Sequence, residues 1–123
     1  MTTRRLLLVI LGGMLGTAGR LGIGLLVPDA GAFPVATLAV NLLGALLIGV
    51  LAARLPGASD LRVFLGTGML GGFTTYSAFA VGAVGLWTDA PLIATAYVLL
   101  TLGLGIIAAL VGVRIGRTRR SAE

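Results

Sequence analysis

Four long apolar stretches, separated by short turns, make up most of this 123-residue chain. Each stretch has about the 20 residues that an α-helix needs to cross the roughly 30 Å hydrocarbon core of a bilayer. Proline, glycine and aspartate mark the turns between them. The pattern predicts an all-α membrane protein that forms one four-helix transmembrane domain, with spans at about 5–26, 33–53, 61–87 and 91–113.

The composition agrees with a bilayer as the solvent. Hydrophobic residues make up 58% of the chain and charged residues only 11%, and the mean hydropathy is +1.11. So short a soluble domain would need more polar side chains than these to cover its surface. We therefore predict a multi-pass protein of the cell (plasma) membrane, with the lipid bilayer as a partner.

Pairs of glycines four residues apart recur in three of the stretches. Such spacing places a smooth strip on one helix face, where two backbones can approach closely in lipid. The strip predicts a tight helix bundle, and so small a bundle is expected to complete its packing on another subunit. The pairs are Gly12 and Gly16, Gly68 and Gly72, and Gly112 and Gly116.

Residues that carry most enzyme chemistry are absent from the sequence. The chain has no histidine and no cysteine, which excludes a histidine base, a catalytic thiol and their metal sites. All the acidic residues lie outside the apolar stretches, so the intramembrane carboxylate of a proton-coupled pump is also missing. The protein is predicted not to be an enzyme. The acids are Asp29, Asp60, Asp89 and Glu123.

The third stretch is the least typical of a helix. Gly71 and Gly72 are followed by Thr74, Thr75 and Ser77 at mid-membrane depth. Glycine disfavours a helix interior by about 1 kcal/mol and hydroxyls compete for backbone partners, so we predict a break near the middle of the third helix. Carbonyl groups freed there can coordinate a cation, and N–H groups and hydroxyls can solvate an anion. The alternative is an intact helix whose hydroxyls bond back to the preceding turn.

Two further polar side chains lie within the apolar stretches. Arg20 either extends to the nearer headgroup layer or places a positive charge at a water-filled vestibule. Asn41, the only carboxamide in the chain, either bonds across helices or replaces water around a permeating anion. The residues alone leave both pairs of alternatives open.

Aromatic and hydroxyl side chains continue this polar pattern. Tyr76 and Phe79 are three apart on one helix face, where they either pack or present electropositive ring edges to an anion. Tyr97 and Thr101 lie four apart on the last stretch and extend the polar path. Gly105 and Ala109 follow at the same spacing without a side-chain donor, so the path ends there.

The arginines are distributed unequally between the two ends of the predicted bundle. Four spans place both termini on one side, and that side carries eight arginines, whereas the opposite loops carry none. We interpret these charges as topology signals rather than as contacts for nucleic acid, and they predict cytoplasmic N- and C-termini. The eight are Arg4, Arg5, Arg54, Arg62, Arg114, Arg117, Arg119 and Arg120.

Three motifs together resemble the fluoride channel family known as CrcB or Fluc: 12–20 (GGMLGTAGR), 37–44 (TLAVNLLG) and 66–79 (GTGMLGGFTTYSAF). The resemblance covers essentially all four stretches. It implies an antiparallel dimer with two pores and a fluoride-selective channel that allows passive export of cytoplasmic fluoride. It also implies a structural Na⁺ at the dimer centre, held by the backbone carbonyls of Gly71 and Thr74.

The resemblance further assigns residues to the fluoride path. Asn41 and the rings of Tyr76 and Phe79 match the family's path residues, and Arg20 matches a vestibule arginine. The neighbouring hydroxyls of Thr75, Ser77, Tyr97 and Thr101 complete the expected path. Two features depart from the family pattern: Tyr76 stands where phenylalanine is usual, and the hydroxyl track of the fourth helix is sparse. Either departure is compatible with a pore that does not conduct.

The charge bias changes the expected partner. A homodimer of opposed subunits requires nearly equal numbers of positive charges at the two ends of each subunit. This chain has eight arginines at one end and none in the loops at the other, so every copy is expected to insert in the same orientation. We therefore expect an antiparallel heterodimer with an oppositely biased sister chain, with a homodimer as the alternative. Two other functions remain open, a small proton-coupled multidrug exporter and a non-conducting partner subunit of a heterodimeric fluoride channel.

Overall fold

The computed structural model describes residues 2–120, with side chains described as far as Thr118. The predicted roles of Glu123 and of the Arg119 and Arg120 side chains lie outside the described part. Four segments are long and apolar enough to span a membrane, which confirms the predicted all-α fold of four transmembrane helices. They are Thr3–Leu26, Val35–Arg54, Asp60–Asp89 and Pro91–Thr118.

The first two spans are continuous helices, α1 (Thr3–Leu26) and α2 (Val35–Arg54). The Thr2 side chain caps α1 by accepting a hydrogen bond from the Arg5 N–H at 3.4 Å. The turn between the two helices passes through Gly31, whose φ of +63° suits glycine.

The third span is interrupted, as the sequence predicts. Its first part, α3, covers residues 60–73 and contains a long π-helical segment, Val63–Leu70, between two short α-helical ends. Thr74 and Thr75 are extended, and the chain then resumes as α4 (Tyr76–Asp89). The break lies near the middle of the span, as predicted, and it follows Gly71 and Gly72, which still belong to a helical turn.

The fourth span is a single helix, α5 (Pro91–Arg120), which begins at a proline in the favourable first position. At about 1.5 Å per residue its 30 residues extend about 45 Å, further than the hydrocarbon core is thick. The helix is therefore longer than an untilted span requires.

Glycine strips bring the helices together in two pairs, which confirms the prediction of close packing. A Cβ atom at Gly16 of α1 would overlap the carbonyl oxygen of Met69 on α3, and one at Gly72 would overlap that of Gly13. Likewise, a Cβ atom at Gly112 of α5 would overlap the carbonyl of Leu46 on α2. Backbone approaches of this kind are available only to glycine, and they fix α1 against α3 and α2 against α5.

Candidate ion pathway

The break in the third span is held open by a side chain from α2. The N–H of Thr75 donates to Asn41 Oδ1 at 2.8 Å, and Asn41 Nδ2 donates to the Thr75 carbonyl at 3.0 Å. The carboxamide thus pairs with both polar groups of one extended residue, as a neighbouring strand would. Of the two roles that the sequence left open for Asn41, the bond between helices is present. One of its two amide hydrogens remains for another acceptor.

The threonines at the break complete its local hydrogen bonding. Thr75 Oγ1 caps α4 by accepting from the Ala78 N–H at 3.1 Å, and it lies 3.2 Å from Ser77 Oγ. Both the N–H and the Oγ1 of Thr74 donate to the Leu70 carbonyl, at 3.0 and 2.9 Å. The Thr74 carbonyl itself receives no hydrogen bond from the described residues. The break therefore presents a backbone oxygen with free acceptor capacity.

On the opposite side of the break, α1 supplies two donors. Arg20 Nε donates to the Gly72 carbonyl at 3.2 Å, and Thr17 Oγ1 donates to the same oxygen at 3.3 Å. The partly buried Arg20 guanidinium is thus bound to the backbone at the end of α3. The sequence did not predict the contribution of Thr17. Thr17 lies about one turn before Arg20 on the same helix, but this spacing does not indicate that both side chains donate to the Gly72 carbonyl.

Aromatic rings form a continuous series from the break into the core. Tyr76 lies 5.8 Å from Phe79 between ring centroids, Phe79 lies 5.5 Å from Tyr97, and Tyr97 meets Phe33 edge-to-face at 5.3 Å. Tyr76 is 80% exposed at one end of the series, whereas Tyr97 is fully buried. The sequence predicted the Tyr76 and Phe79 pair, but not Phe33, which comes from a distant turn.

Two hydroxyls beside this series are buried without a hydrogen-bond partner in the described part of the chain. They are Tyr97 Oη and Thr101 Oγ1, one turn apart on α5. A threonine within a helix ordinarily bonds back to the preceding turn, and Thr101 does not. Buried polar atoms are rarely left unpaired in native proteins, and these two hydroxyls keep a donor that the described chain does not use.

Two cavities meet at the break. The larger is an open groove of about 410 Å³ that contains most of the predicted site, namely Asn41, Gly71, Thr74, Thr75, Tyr76, Phe79 and Thr101. The smaller, about 200 Å³, contains Arg20 with Thr37, Thr75 and Ala78. Thr75 lines both. Ser77 and Tyr97 do not line the groove, and they connect to it only through Thr75 and Phe79.

Comparison with known proteins identifies the family. The profile described as "CrcB-like protein, Camphor Resistance (CrcB)" matches residues 7–113, which is most of the chain. The chain belongs to the CrcB family.

Curated CrcB relatives cover almost the whole chain. The protein named "Fluoride-specific ion channel FluC" of Paracoccus denitrificans is 47% identical over 114 residues, covering 89% of this chain and 91% of the relative. The protein of the same name from Erythrobacter litoralis is 43% identical, with 89% of each chain covered. "Fluoride-specific ion channel FluC 2" of Bacillus subtilis is 45% identical over 89% of this chain and 85% of its own.

Membership of the CrcB family confirms the resemblance seen in the sequence motifs. The family is one of ion channels, which confirms the prediction that the chain is not an enzyme. Four membrane-spanning helices together with channel relatives make the chain a multi-pass membrane protein. Its partner subunit, its orientation and the roles of the individual site residues remain predictions.

Proposed function

We propose that this chain is a subunit of a fluoride-selective channel through which fluoride leaves the cytoplasm passively. The observation that carries the proposal is the Thr74–Thr75 break, where a groove meets a buried series of rings and hydroxyls. Irregular backbone at membrane depth is tolerated where it is covered by protein or lines a wet cavity. The FluC relatives named above supply the identity of the ion.

The residues around the break offer fluoride weak donors rather than a fixed charge. Asn41, which keeps a second amide hydrogen, and Thr101 line the groove, and so do Tyr76 and Phe79, whose ring edges are electropositive. The Tyr97 hydroxyl lies deeper in the same series. Donors of this kind replace part of the hydration shell without holding the anion tightly, which is the condition for conduction.

Passive flow follows from what the sequence lacks. No carboxylate or histidine lies within the apolar stretches, so no group is available there to exchange protons for a substrate. A proton-coupled multidrug exporter is therefore the weaker alternative. Fluoride enters cells as HF and is trapped as the anion at cytosolic pH, so a selective leak driven by the membrane potential is sufficient for export.

A second subunit is needed to cover the groove. As it stands, the groove exposes the Tyr76 ring and is lined by Thr74, whose carbonyl receives no hydrogen bond from the described chain, and such a group facing lipid would cost several kcal/mol. An opposed subunit that packs on this face would form the wall of a pore. Eight arginines at one end of the chain favour an oppositely biased sister chain, which leaves the homodimer as the alternative.

The break also fits a structural Na⁺ at the centre of such a dimer. The described residues contain no group of three or more histidine, cysteine, aspartate or glutamate side chains, so a cation must be held by other oxygens. Gly71 and Thr74 line the groove, and the Thr74 carbonyl receives no hydrogen bond from the described chain. Backbone carbonyls at unwound helices are suitable Na⁺ ligands, and a bound ion would tie the breaks of two subunits together.

Fluoride efflux from liposomes tests the function. The chain alone, and then mixed with candidate sister chains, should release fluoride but not chloride, at a rate independent of a pH gradient. Efflux only in the presence of a sister supports the heterodimer, and efflux by the chain alone supports the homodimer. Absence of fluoride efflux with every partner contradicts the channel, and efflux coupled to a pH gradient favours the exporter.

Reporter fusions at the C-terminus test the orientation separately. The charge bias predicts that nearly all copies place this terminus in the cytoplasm. Comparable amounts of both orientations would contradict the heterodimer, because the heterodimer is proposed from the charge bias. Such a result would not affect the proposal that the chain is a channel subunit.

A further inference from the structure

The break in the third span redirects backbone N–H groups that a continuous helix would use. In an α-helix each N–H donates to the carbonyl four residues earlier. The N–H of Thr75 would therefore donate to the Gly71 carbonyl. The N–H of Ala78 would likewise donate to the Thr74 carbonyl. Neither bond is present among the described residues. The two carbonyls proposed to hold Na⁺ are thus the two that lose these donors.

Side chains bind both of the redirected N–H groups. The Thr75 N–H donates to Asn41 Oδ1 at 2.8 Å, and the Ala78 N–H donates to Thr75 Oγ1 at 3.1 Å. Each backbone N–H has a single hydrogen to donate. Asn41 therefore keeps the Gly71 carbonyl free of the Thr75 N–H. The Thr75 hydroxyl in turn keeps the Thr74 carbonyl free of the Ala78 N–H.

The Gly72 carbonyl, which lies between these two in the sequence, is occupied. It accepts from Arg20 Nε at 3.2 Å and from Thr17 Oγ1 at 3.3 Å. A backbone carbonyl has two lone pairs, and two donors are enough to satisfy both. The Arg20 guanidinium beside this oxygen would also repel a second cation. Gly72 is therefore excluded as a ligand, whereas Gly71 and Thr74 are not.

The side chain of Thr74 is fixed by contacts of its own. Its Oγ1 donates to the Leu70 carbonyl at 2.9 Å. Its methyl group lies against Gly44 of α2, where an added Cβ atom would overlap it. The backbone oxygen of Thr74, which receives no hydrogen bond from the described chain, is therefore the atom of this residue with free acceptor capacity.

We infer that Asn41 Oδ1 and Thr75 Oγ1 position the proposed Na⁺ site, because each binds one backbone N–H and so leaves one carbonyl available as a ligand. This inference rests on the Na⁺ site of the proposed function. It gives Asn41 a role that is separate from any contact with fluoride. Groups that orient the ligands of a metal from outside its coordination shell typically change the affinity about 10- to 100-fold.

Thermal unfolding of the purified channel tests the inference, with the partner subunit present if efflux requires one. The melting temperature is measured over a series of NaCl concentrations at constant ionic strength, with N-methylglucamine chloride as the replacement salt. A cation that binds only the folded state stabilises it, so the wild type should melt at a higher temperature as Na⁺ increases. The quantity compared between variants is the half-saturating Na⁺ concentration.

Two pairs of variants isolate the acceptor oxygens. Asn41→Ala and Thr75→Val remove an acceptor and should raise the half-saturating Na⁺ concentration about 10- to 100-fold. Asn41→Asp and Thr75→Ser keep an acceptor and should respond to Na⁺ as the wild type does. Because aspartate adds a charge that itself attracts Na⁺, the uncharged pair at Thr75 is the decisive one. Thr95→Val is the matched control, since it removes a hydroxyl that bonds to the Pro91 carbonyl within α5, and it should leave the Na⁺ dependence unchanged.

A wild-type response to Na⁺ in both Asn41→Ala and Thr75→Val would overturn the inference and leave the Na⁺ site in place. A wild type that does not respond to Na⁺ would contradict the site and the inference together, while fluoride efflux judges the channel independently. If neither variant that lacks an acceptor folds, Thr75→Ser decides the question. A wild-type response in Thr75→Ser supports the inference, and a weakened response overturns it, because the acceptor is still present.

Discussion

The carboxamide of Asn41 pairs with both the N–H and the carbonyl of Thr75, at 2.8 and 3.0 Å. One side chain of α2 therefore satisfies the residue at which the third span leaves helical geometry. An extended residue in the interior of a membrane protein would otherwise leave two polar groups unpaired, at a cost of about 1–3 kcal/mol each. Asn41 is thus a condition for the break as well as a candidate donor to the ion.

Asn41→Ala should lower both stability and fluoride efflux. Loss of the two bonds to Thr75 should reduce the free energy of unfolding by about 2 kcal/mol. Thermal unfolding and liposome efflux, with the partner subunit present, measure the two effects. An unchanged efflux rate would refute the proposed path role. Asn41→Asp separates the contributions, since it keeps the acceptor for the Thr75 N–H but removes the donor and adds a charge that repels fluoride.

Arg20→Lys should destabilise the protein although it preserves the positive charge. The Gly72 carbonyl is bound by Arg20 Nε, which lysine lacks, so we expect a loss of roughly 1 kcal/mol. Thr17→Val removes the second donor to the same oxygen and should have a similar effect. Melting temperatures of the three proteins provide the test. If Arg20→Lys melts like the wild type, charge and not the hydrogen bond is what the position requires.

Gly16→Ala should disrupt the contact between α1 and α3. The added methyl group overlaps the Met69 carbonyl oxygen, and backbone cannot move aside as a side chain can, so we expect a loss of about 2 kcal/mol or more. Gly24→Ala on the same helix is the matched control, because a Cβ atom there meets nothing within 4 Å in the described chain. It should change stability by less than about 1 kcal/mol. Similar losses in both variants would contradict the packing argument.

Tyr97→Phe should slow fluoride efflux without destabilising the fold. The Tyr97 hydroxyl is buried and unpaired in the described chain, so its removal relieves a desolvation cost. If that hydroxyl donates to fluoride, efflux should fall about tenfold, equivalent to roughly 1.4 kcal/mol. Thr101→Val should behave in the same way. Efflux at the wild-type rate in both variants would exclude the hydroxyls from the path.

The sequence was sufficient to predict the helices and the presence of a break, because both depend on local properties. Hydropathy defines a span, and glycines followed by threonines weaken a helix wherever they occur. The exact residues of the break could not be predicted from local properties, because the helix continues through Gly72. It ends where the side chain of Asn41, more than 30 residues away in the sequence, forms hydrogen bonds with the Thr75 backbone.

Contacts between helices explain the other differences. The π-helical geometry of Val63–Leu70 goes with the close approach of α1, and no residue pattern in that segment indicates it. The shared carbonyl of Arg20 and Thr17, and the position of Phe33 against Tyr97, likewise depend on which helices become neighbours. The candidate residues were predictable from their chemistry, whereas their partners required the assembled bundle.

Thr75 borders both the groove and the Arg20 cavity, so the wall between these spaces is one residue thick. A partition so thin keeps its place through the two hydrogen bonds that join the Thr75 backbone to the Asn41 side chain.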